Sequence, residues 1–504
     1  MNAPTLPKAT RREWIGLLVI ALPCILYSMD LTVLHLAIPA LTRDLRPSSA
    51  ELLWIIDIYG FMVAGSLITM GTIGDRIGRR RLLLLGAAAF GAVSIVAAFC
   101  PSAATLIAAR ALLGLAGATV APSTLSLIRS MFLDPAQRTF AIGVWVTSYS
   151  LGAAVGPLVG GALLAHFWWG SVFLLGVPVM LVLLVLGPIF LPEYKDPKPG
   201  RADIWSAGLS LSALLSAIFG LKRIAQSGVA LAPLLAIALG TLLGVVFVKR
   251  QQRLTDPLID LGLFRLPAFS ATLFTYGFSI FVLFGGFLFL PQFLQLVRGL
   301  PAFEAGVWTL PWALSFIVGA LLTSSLSRML QPALLMSAGL VLTASGFSLF
   351  TRLSGTTSFF SFALGSSMFS LGLAPVFTLT TDLIVGAAPP DRAGAAAALS
   401  ETCSELGGAL GIAVFGSIGV AIYRHGVVAA LPAGLPQLTR DAAIGTLGGA
   451  NAAAAVLPRA VGNALLGAAQ AAFTDGVRAC AALSAVGALA LAVFVAFKLR
   501  RARA

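Results

Sequence analysis

The chain repeats one pattern fourteen times: a long apolar stretch almost free of charge, then a short polar break. A bilayer core is about 30 Å thick, and a helix needs roughly 20 residues to cross it. Lipid offers the backbone no hydrogen-bonding partners, so each stretch is expected to be a helix. The stretches begin at 14–36 and 52–71. They continue through 103–127, 139–164, 170–191 and 203–223, and end at 395–423 and 473–498. Only 10% of residues are charged and 58% are hydrophobic, whereas a soluble domain carries roughly 25% charged residues. The expected fold class is an all-α integral membrane protein.

The net charge of +14 would suggest nucleic acid in a soluble chain. Here its distribution indicates membrane orientation. With the N-terminus cytoplasmic, twenty-two of the 33 Lys and Arg residues fall on the cytoplasmic side and ten on the other, while Arg110 lies inside a span. That excess places both termini inside. Lys222 and Arg223 go against it. The basic N-terminus followed by an apolar run imitates a signal peptide. The run is too long for one, and it is taken as the first span. Cys24, Cys100, Cys403 and Cys480 all fall in apolar segments, with neither disulfide nor metal spacing.

Two charged segments, 192–202 and 249–265, divide the chain. They separate a six-helix bundle at 14–191, a two-helix hairpin at 203–250 and a second six-helix bundle at 267–498. The last contains a long external loop at 424–472. Its Ala-rich runs, 451–456 and 461–473, are expected to form a helical hairpin.

The loop after span two reads Gly71-Thr-Ile-Gly-Asp75-Arg76-Ile-Gly78-Arg79-Arg80-Arg81. Its glycines permit a tight turn beside a neighbouring helix. Asp75 can hold an arginine or a helix N-terminus, which makes a latch that forms and breaks. A bare basic cluster would only fix topology, but the whole string resembles the signature loop of the major facilitator superfamily. In span five, Gly152-Ala-Ala-Val-Gly156-Pro157-Leu-Val-Gly160-Gly161 gives a smooth packing groove with a proline that permits a bend. It resembles the antiporter motif of that superfamily's export branch. Three further stretches, 29–39, 168–178 and 256–265, resemble the fourteen-span drug:proton antiporters. That family includes the quaternary-ammonium and methyl-viologen resistance pumps, and the resemblance covers essentially the whole chain. It implies proton-driven export of lipophilic, usually cationic, drugs and dyes, while the Ala-rich, short-loop chain suggests a bacterial inner (plasma) membrane. Two departures stand out. The loop 324–335 lacks a second acidic-basic signature, and span ten lacks the acid that some multidrug members carry.

A charge at the bilayer centre costs about 2.5–3.5 kcal/mol on insertion scales, so it marks function. Asp30, Asp57, Arg110, Glu401 and Glu405 are the candidates for proton coupling and cation binding. Glu401 and Glu405 share one helix face. Two carboxylates one turn apart in low dielectric resist double ionisation and can hold a proton or a cation. Asp30 with Arg110 is either a static ion pair or, as the resemblance implies, part of a proton relay. Asp382 is assigned to the cytoplasmic boundary, and His35, His166 and His425 to solvated span ends. Trp54, Tyr59, Tyr149, Phe281, Phe284 and Trp308 are candidates for an aromatic cation pocket.

The function expected is a secondary transporter whose partners are lipophilic cations, protons and membrane lipid. It acts as a monomer without a cofactor other than the coupling proton. An exporter of one natural product is the alternative. A channel or membrane enzyme is disfavoured, since no filter repeat, nucleophile–base set, metal spacing or phosphate loop is present.

Overall fold

The computed structural model describes residues 7–47, 49–194, 203–228, 230–254, 257–259, 261–388, 393–431 and 435–501. Most of the 192–202 linker, Asp256 and Asp260 lie outside them, as do the side chains of His35 and Pro157. Among the described residues the secondary structure is helical throughout. The first helices are α1 (Arg11–Leu45), α2 (Ser49–Ile77), α3 (Arg79–Ala98), α4 (Ala103–Gly117), α5 (Val120–Met131) and α6 (Pro135–His166). Next come α7 (Ser171–Leu174), α8 (Gly176–Phe190), α9 (Ile204–Ser227), α10 (Leu231–Gln251), α11 (Pro267–Phe287) and α12 (Leu290–Gln292). The chain ends with α13 (Ala302–Met329), α14 (Pro332–Phe350), α15 (Phe359–Ala387), α16 (Ala393–Ala430), α17 (Gln437–Gly445), α18 (Leu447–Ala455) and α19 (Arg459–Arg501).

Thirteen helical segments among the described residues are long and apolar enough to cross a membrane, against the fourteen expected. The difference lies in the seventh expected span. Its apolar part among the described residues, Trp205–Leu221, lies within the longer helix α9.

Three of the expected spans are broken, each within the four residues before a proline. Pro122, Pro178 and Pro291 cannot donate to the carbonyls of Ala118, Leu174 and Phe287. The helices stop or re-form there: α4 gives way to α5 across Ala118–Thr119, α7 to α8 at Leu175, and α11 ends at Phe287. By contrast α6 runs unbroken through Pro157.

The helices form two packed groups. α1 packs on α6 and α8, α2 on α4, and α3 on α4 and α8. α11 packs on α16 and α19, α13 and α14 on α15, and α14 on α19. The groups meet through α2 and α5 against α16, and through α6 against α13 and α15. The hairpin of α9 and α10 lies beside that seam, because α9 touches both α2 and α16. Asp203 caps α9 through the Ser206 amide at 3.1 Å and grips Arg250 of α10 through two bonds at 3.0 Å. Burial pushes the Asp203 carboxyl up, but its hydrogen bonds with Arg250 and Ser206 outweigh this and hold it down at about 2.

The described part of the 424–472 segment is mostly helix. α16 runs on to Ala430, α17 and α18 form a hairpin, and α19 begins at Arg459. The Tyr423 hydroxyl donates to the Ala443 carbonyl at 2.7 Å and ties α17 to α16. The first Ala-rich run lies mainly in α18 and the second within α19, and α18 packs on both α17 and the start of α19.

Candidate functional site

Arg110 of α4 is almost completely buried, at 1% exposure. Its guanidinium binds the Asp30 carboxylate of α1 at 2.6 Å and donates to the Ile55 carbonyl of α2 at 3.2 Å. It also lies 4.6 Å from the centre of the Tyr59 ring, a cation–π arrangement strengthened by desolvation. One arginine therefore joins three helices, and these partners offset the cost of burying its charge.

From the other group, Glu401 of α16 accepts from the Tyr276 hydroxyl of α11 at 3.5 Å. The two sets of charges meet at Tyr27 of α1, which interacts electrostatically with Asp30, Tyr59, Glu401 and Glu405. Tyr149 of α6 packs on Tyr27 with ring centres 5.6 Å apart and also feels Glu401. Four of the chain's six tyrosines, Tyr27, Tyr59, Tyr149 and Tyr276, thus lie about the half-buried carboxylates. Such a chamber offers negative charge, aromatic faces and hydroxyls that can pass or accept a proton.

At the basic end of the bundle, Asp75 closes α2 onto α16. Its carboxylate receives Arg79 at 2.9 Å and the amides of Gly394 and Ala395 at 3.3 and 3.1 Å. Those amides open α16, where unpaired N–H groups attract an anion. The helices cross closely: a Cβ added at Gly71 would stand 2.6 Å from the Gly394 carbonyl oxygen. Gly78 turns the chain with φ +109°, a left-handed conformation that glycine tolerates. Arg80 donates to the carbonyls of Pro188 and Leu191 at 3.2 and 3.0 Å and pairs with Glu193 at 3.5 Å. The Arg79 guanidinium lies 4.9 Å from the Tyr194 ring centre. Arg76 is half-buried in the last turn of α2.

A second clamp lies at the same end. Arg138 and Thr139 of α6 bind the two oxygens of Asp382 on α15 at 2.6 and 2.8 Å. Arg129 of α5 donates to the Val385 and Gly386 carbonyls at the end of α15.

The Major Facilitator Superfamily profile matches residues 20–412. The chain belongs to this superfamily. It is similar to the multidrug efflux pump LfrA of Mycolicibacterium smegmatis, 42% identical over 99% of both chains. It is 35% identical to the methyl viologen resistance protein SmvA of Salmonella typhimurium, over 98% of this chain and 99% of that one. It is 34% identical to the tetracenomycin C resistance and export protein of Streptomyces glaucescens, over 80% of this chain and 76% of that one. The crystal structure of the human organic anion transporter MFSD10 shares the fold, with a TM-score of 0.63 at 17% identity, over 96% of this chain and 99% of that one. This major facilitator is a multi-pass plasma-membrane transporter, not an enzyme.

The remaining expected site residues of the facilitator fall in several places. In the antiporter motif, Gly152 lets α6 meet α1, since an added Cβ would stand 2.2 Å from the Ile25 carbonyl oxygen. Gly160 meets Val33 and Gly156 is buried, whereas a Cβ at Gly161 would have nothing within 4 Å. Asp57 is half-buried on α2. It stands two residues before Tyr59, and so leaves the helix on nearly the opposite side from the Arg110 contact. That side also carries Trp54, which stacks on Phe219 of α9 at 6.2 Å rather than joining the chamber. Trp308 packs on Phe359 and Phe362 near the start of α13, and so belongs to packing within the second group. Phe281 packs on Phe278 and Phe415. The Phe284 ring reaches Gly408, one turn beyond Glu405.

Sequence reasoning missed Tyr27, Tyr276, Glu193, Tyr194 and the Arg138–Asp382 clamp. For Asp382 a signal existed, an acid within a long apolar helix. For Tyr27 and Tyr276 the signal is rarity, because a tyrosine inside a span brings a hydroxyl into lipid.

Proposed function

We propose that this chain is a proton-coupled antiporter that exports lipophilic, cationic drugs, dyes or antiseptics. The observation that carries the proposal is a set of intramembrane carboxylates drawn from both helix groups: Asp30, bound to Arg110 at 2.6 Å in the first, and Glu401, bound by Tyr276 at 3.5 Å in the second, with Glu405 one turn further along α16. A proton or a cation bound among these carboxylates answers to both groups, so exchange of one for the other can be linked to their relative movement. The family, together with the efflux and resistance roles of the relatives similar over their full length, supports the direction of transport.

On this reading fourteen helices span the membrane as 6+2+6, and both termini are cytoplasmic. The coupling proton takes the place of a cofactor, and the protein works as a monomer. The Asp75 and Asp382 clamps then close the cytoplasmic end, so the chamber belongs to a state shut toward the cytoplasm. Alternating access follows as the clamps release and the groups rock about the chamber.

The decisive experiment measures ethidium movement in proteoliposomes under an imposed pH gradient. Gradient-dependent uptake into vesicles with inside-out protein is expected. Movement that ignores the gradient, across a panel of cations, would remove proton coupling from the proposal.

A second reading is export of one natural compound. The similarity to the tetracenomycin C exporter favours it, as does the composition of α13, whose acid, Glu304, lies in its first turn. Resistance profiles of an efflux-deficient strain carrying the gene separate the two readings.

A further inference from the structure

The clamp at Asp382 forms one wall of a crevice that the transport reading leaves unused. It measures ≈ 800 Å³ and is framed by the starts of α6, α11 and α14 and the ends of α13, α15 and α19. That is a volume typical of small-molecule sites, roughly 300–1,000 Å³. Its walls are apolar at Phe269, Met336, Leu379, Leu383 and Leu499. Its polar lining is led by Arg138, Asp382, Arg328 and Gln331.

The charges favour an anion. Asp382 is the acid among the described lining residues, and Arg138 and Thr139 already engage it at 2.6 and 2.8 Å. Arg328 adds a second guanidinium at the exposed rim. α14 starts at the same rim with Gln331 as its N-cap, whose side chain makes no capping bond, and with Pro332 first in the helix, so the amides of the next residues are left to face an anion. A guanidinium beside such a helix start attracts phosphate. Lys498, just before Leu499 on α19, is exposed and adds positive charge to this end.

The apolar walls decide between a soluble anion and an amphiphile. A free phosphate gains nothing from Met336, Leu383 and Leu499, whereas an acyl chain does. Basic pockets between transmembrane helices at the positively charged face are recognised sites for anionic lipid headgroups.

We propose that this crevice binds an anionic phospholipid of the adjacent leaflet. Its phosphate lies between Arg328 and the first turn of α14, and an acyl chain runs along Leu383 and Leu499. The bound lipid shares the crevice with the Arg138–Asp382 pair and packs against the α15 and α14 walls that the pair holds to α6. Lipid occupancy would thus set how readily the second clamp opens, independently of which substrate the chamber takes.

The test uses the full chain, delipidated and offered phosphatidylglycerol or phosphatidylcholine in nanodiscs, with retained lipid read by intact-mass spectrometry. Phosphatidylglycerol should be retained at least fivefold over phosphatidylcholine. Arg328→Gln should cut that preference severalfold, and Leu383→Trp, which fills the crevice, should do the same. Inorganic phosphate at matched concentration should fail to displace the lipid. Equal retention of the two lipids overturns the proposal, and so does an unchanged preference in both variants. Displacement by phosphate alone would assign the crevice to a soluble anion and overturn the lipid assignment.

Discussion

The Arg138 guanidinium of α6 meets the Asp382 carboxylate of α15 at 2.6 Å, and Thr139 takes the other carboxylate oxygen at 2.8 Å. This pair answers a question posed by the missing signature in the 324–335 loop. In the first helix group, the end of α2 supplies Asp75, which holds the start of α16. The corresponding end of α13 offers no acid. The start of α6 is instead held by an acid from α15, while Asp134 of its own chain segment caps it through the Gln137 amide at 2.9 Å. The two clamps are alike in place and different in construction.

Breaking the second clamp should loosen the same end without touching the chamber. Truncating one partner of a buried, hydrogen-bonded charge pair costs about 2–5 kcal/mol. Asp382→Asn should therefore shift the conformational balance toward opening by at least tenfold. Distances between spin labels across α6 and α15 would report it. The exchange Arg138→Asp with Asp382→Arg should restore part of the closed population. Unchanged distances in Asp382→Asn would show that the pair is not a clamp.

The first clamp makes a kinetic prediction. Asp75 touches Arg79 and the first amides of α16, far along α2 from Tyr59. Asp75→Ala should slow turnover by an order of magnitude or more and leave substrate Kd within about twofold, because a conformational step is lost and not a contact. Gly71→Val should slow turnover for a different reason, since its side chain would enter the Gly394 backbone. Transport rates and equilibrium dye binding, measured on the same preparations, separate the two quantities.

The helices were legible because lipid leaves the backbone one option, and the signature loop because its residues are contiguous. Asp75, Gly78 and Arg79 act within one turn of each other, so their spacing carries the geometry. The chamber was half legible. Asp30, Arg110, Glu401 and Glu405 declare themselves by charge, but Tyr27 and Tyr276 are neutral and their role exists only once four helices converge. Asp382 lies 244 residues from Arg138 in sequence, and no local pattern links them. Trp54 failed as a pocket residue because an aromatic in a span says nothing about which neighbour it faces.

The hairpin of α9 and α10 should weaken in acid. The Asp203 carboxyl is held at about 2 in the folded chain, below its ordinary 3.8. A depressed carboxyl contributes stability that is fully present above its unfolded value and is lost as pH falls through the folded one. Asp203→Asn keeps the cap and removes the charge. The melting difference between wild type and Asp203→Asn should be constant above pH 5, shrink between about 4 and 2, and vanish below. A difference independent of pH would mean that the Arg250 pair contributes nothing through its charge.

The carboxylates of the chamber make the sharpest demand on the transport proposal. Glu405→Gln keeps size and hydrogen-bonding capacity while removing ionisation, and Asp30→Asn does the same beside Arg110. Both should abolish movement driven by a pH gradient, with surface expression near that of wild type. The two variants should differ in stability. Asp30→Asn leaves the guanidinium of Arg110 buried beside a neutral amide, and uncompensated burial of a charge costs about 3–5 kcal/mol. Glu405→Gln removes one of two like charges one turn apart and should hold or raise the melting temperature. Melting in detergent and gradient-driven dye transport on each variant give the two readouts. Retained pH-driven transport in either variant would take that residue out of the coupling set. A stability loss in Glu405→Gln would mean that its charge is needed by the fold as well as by the proton.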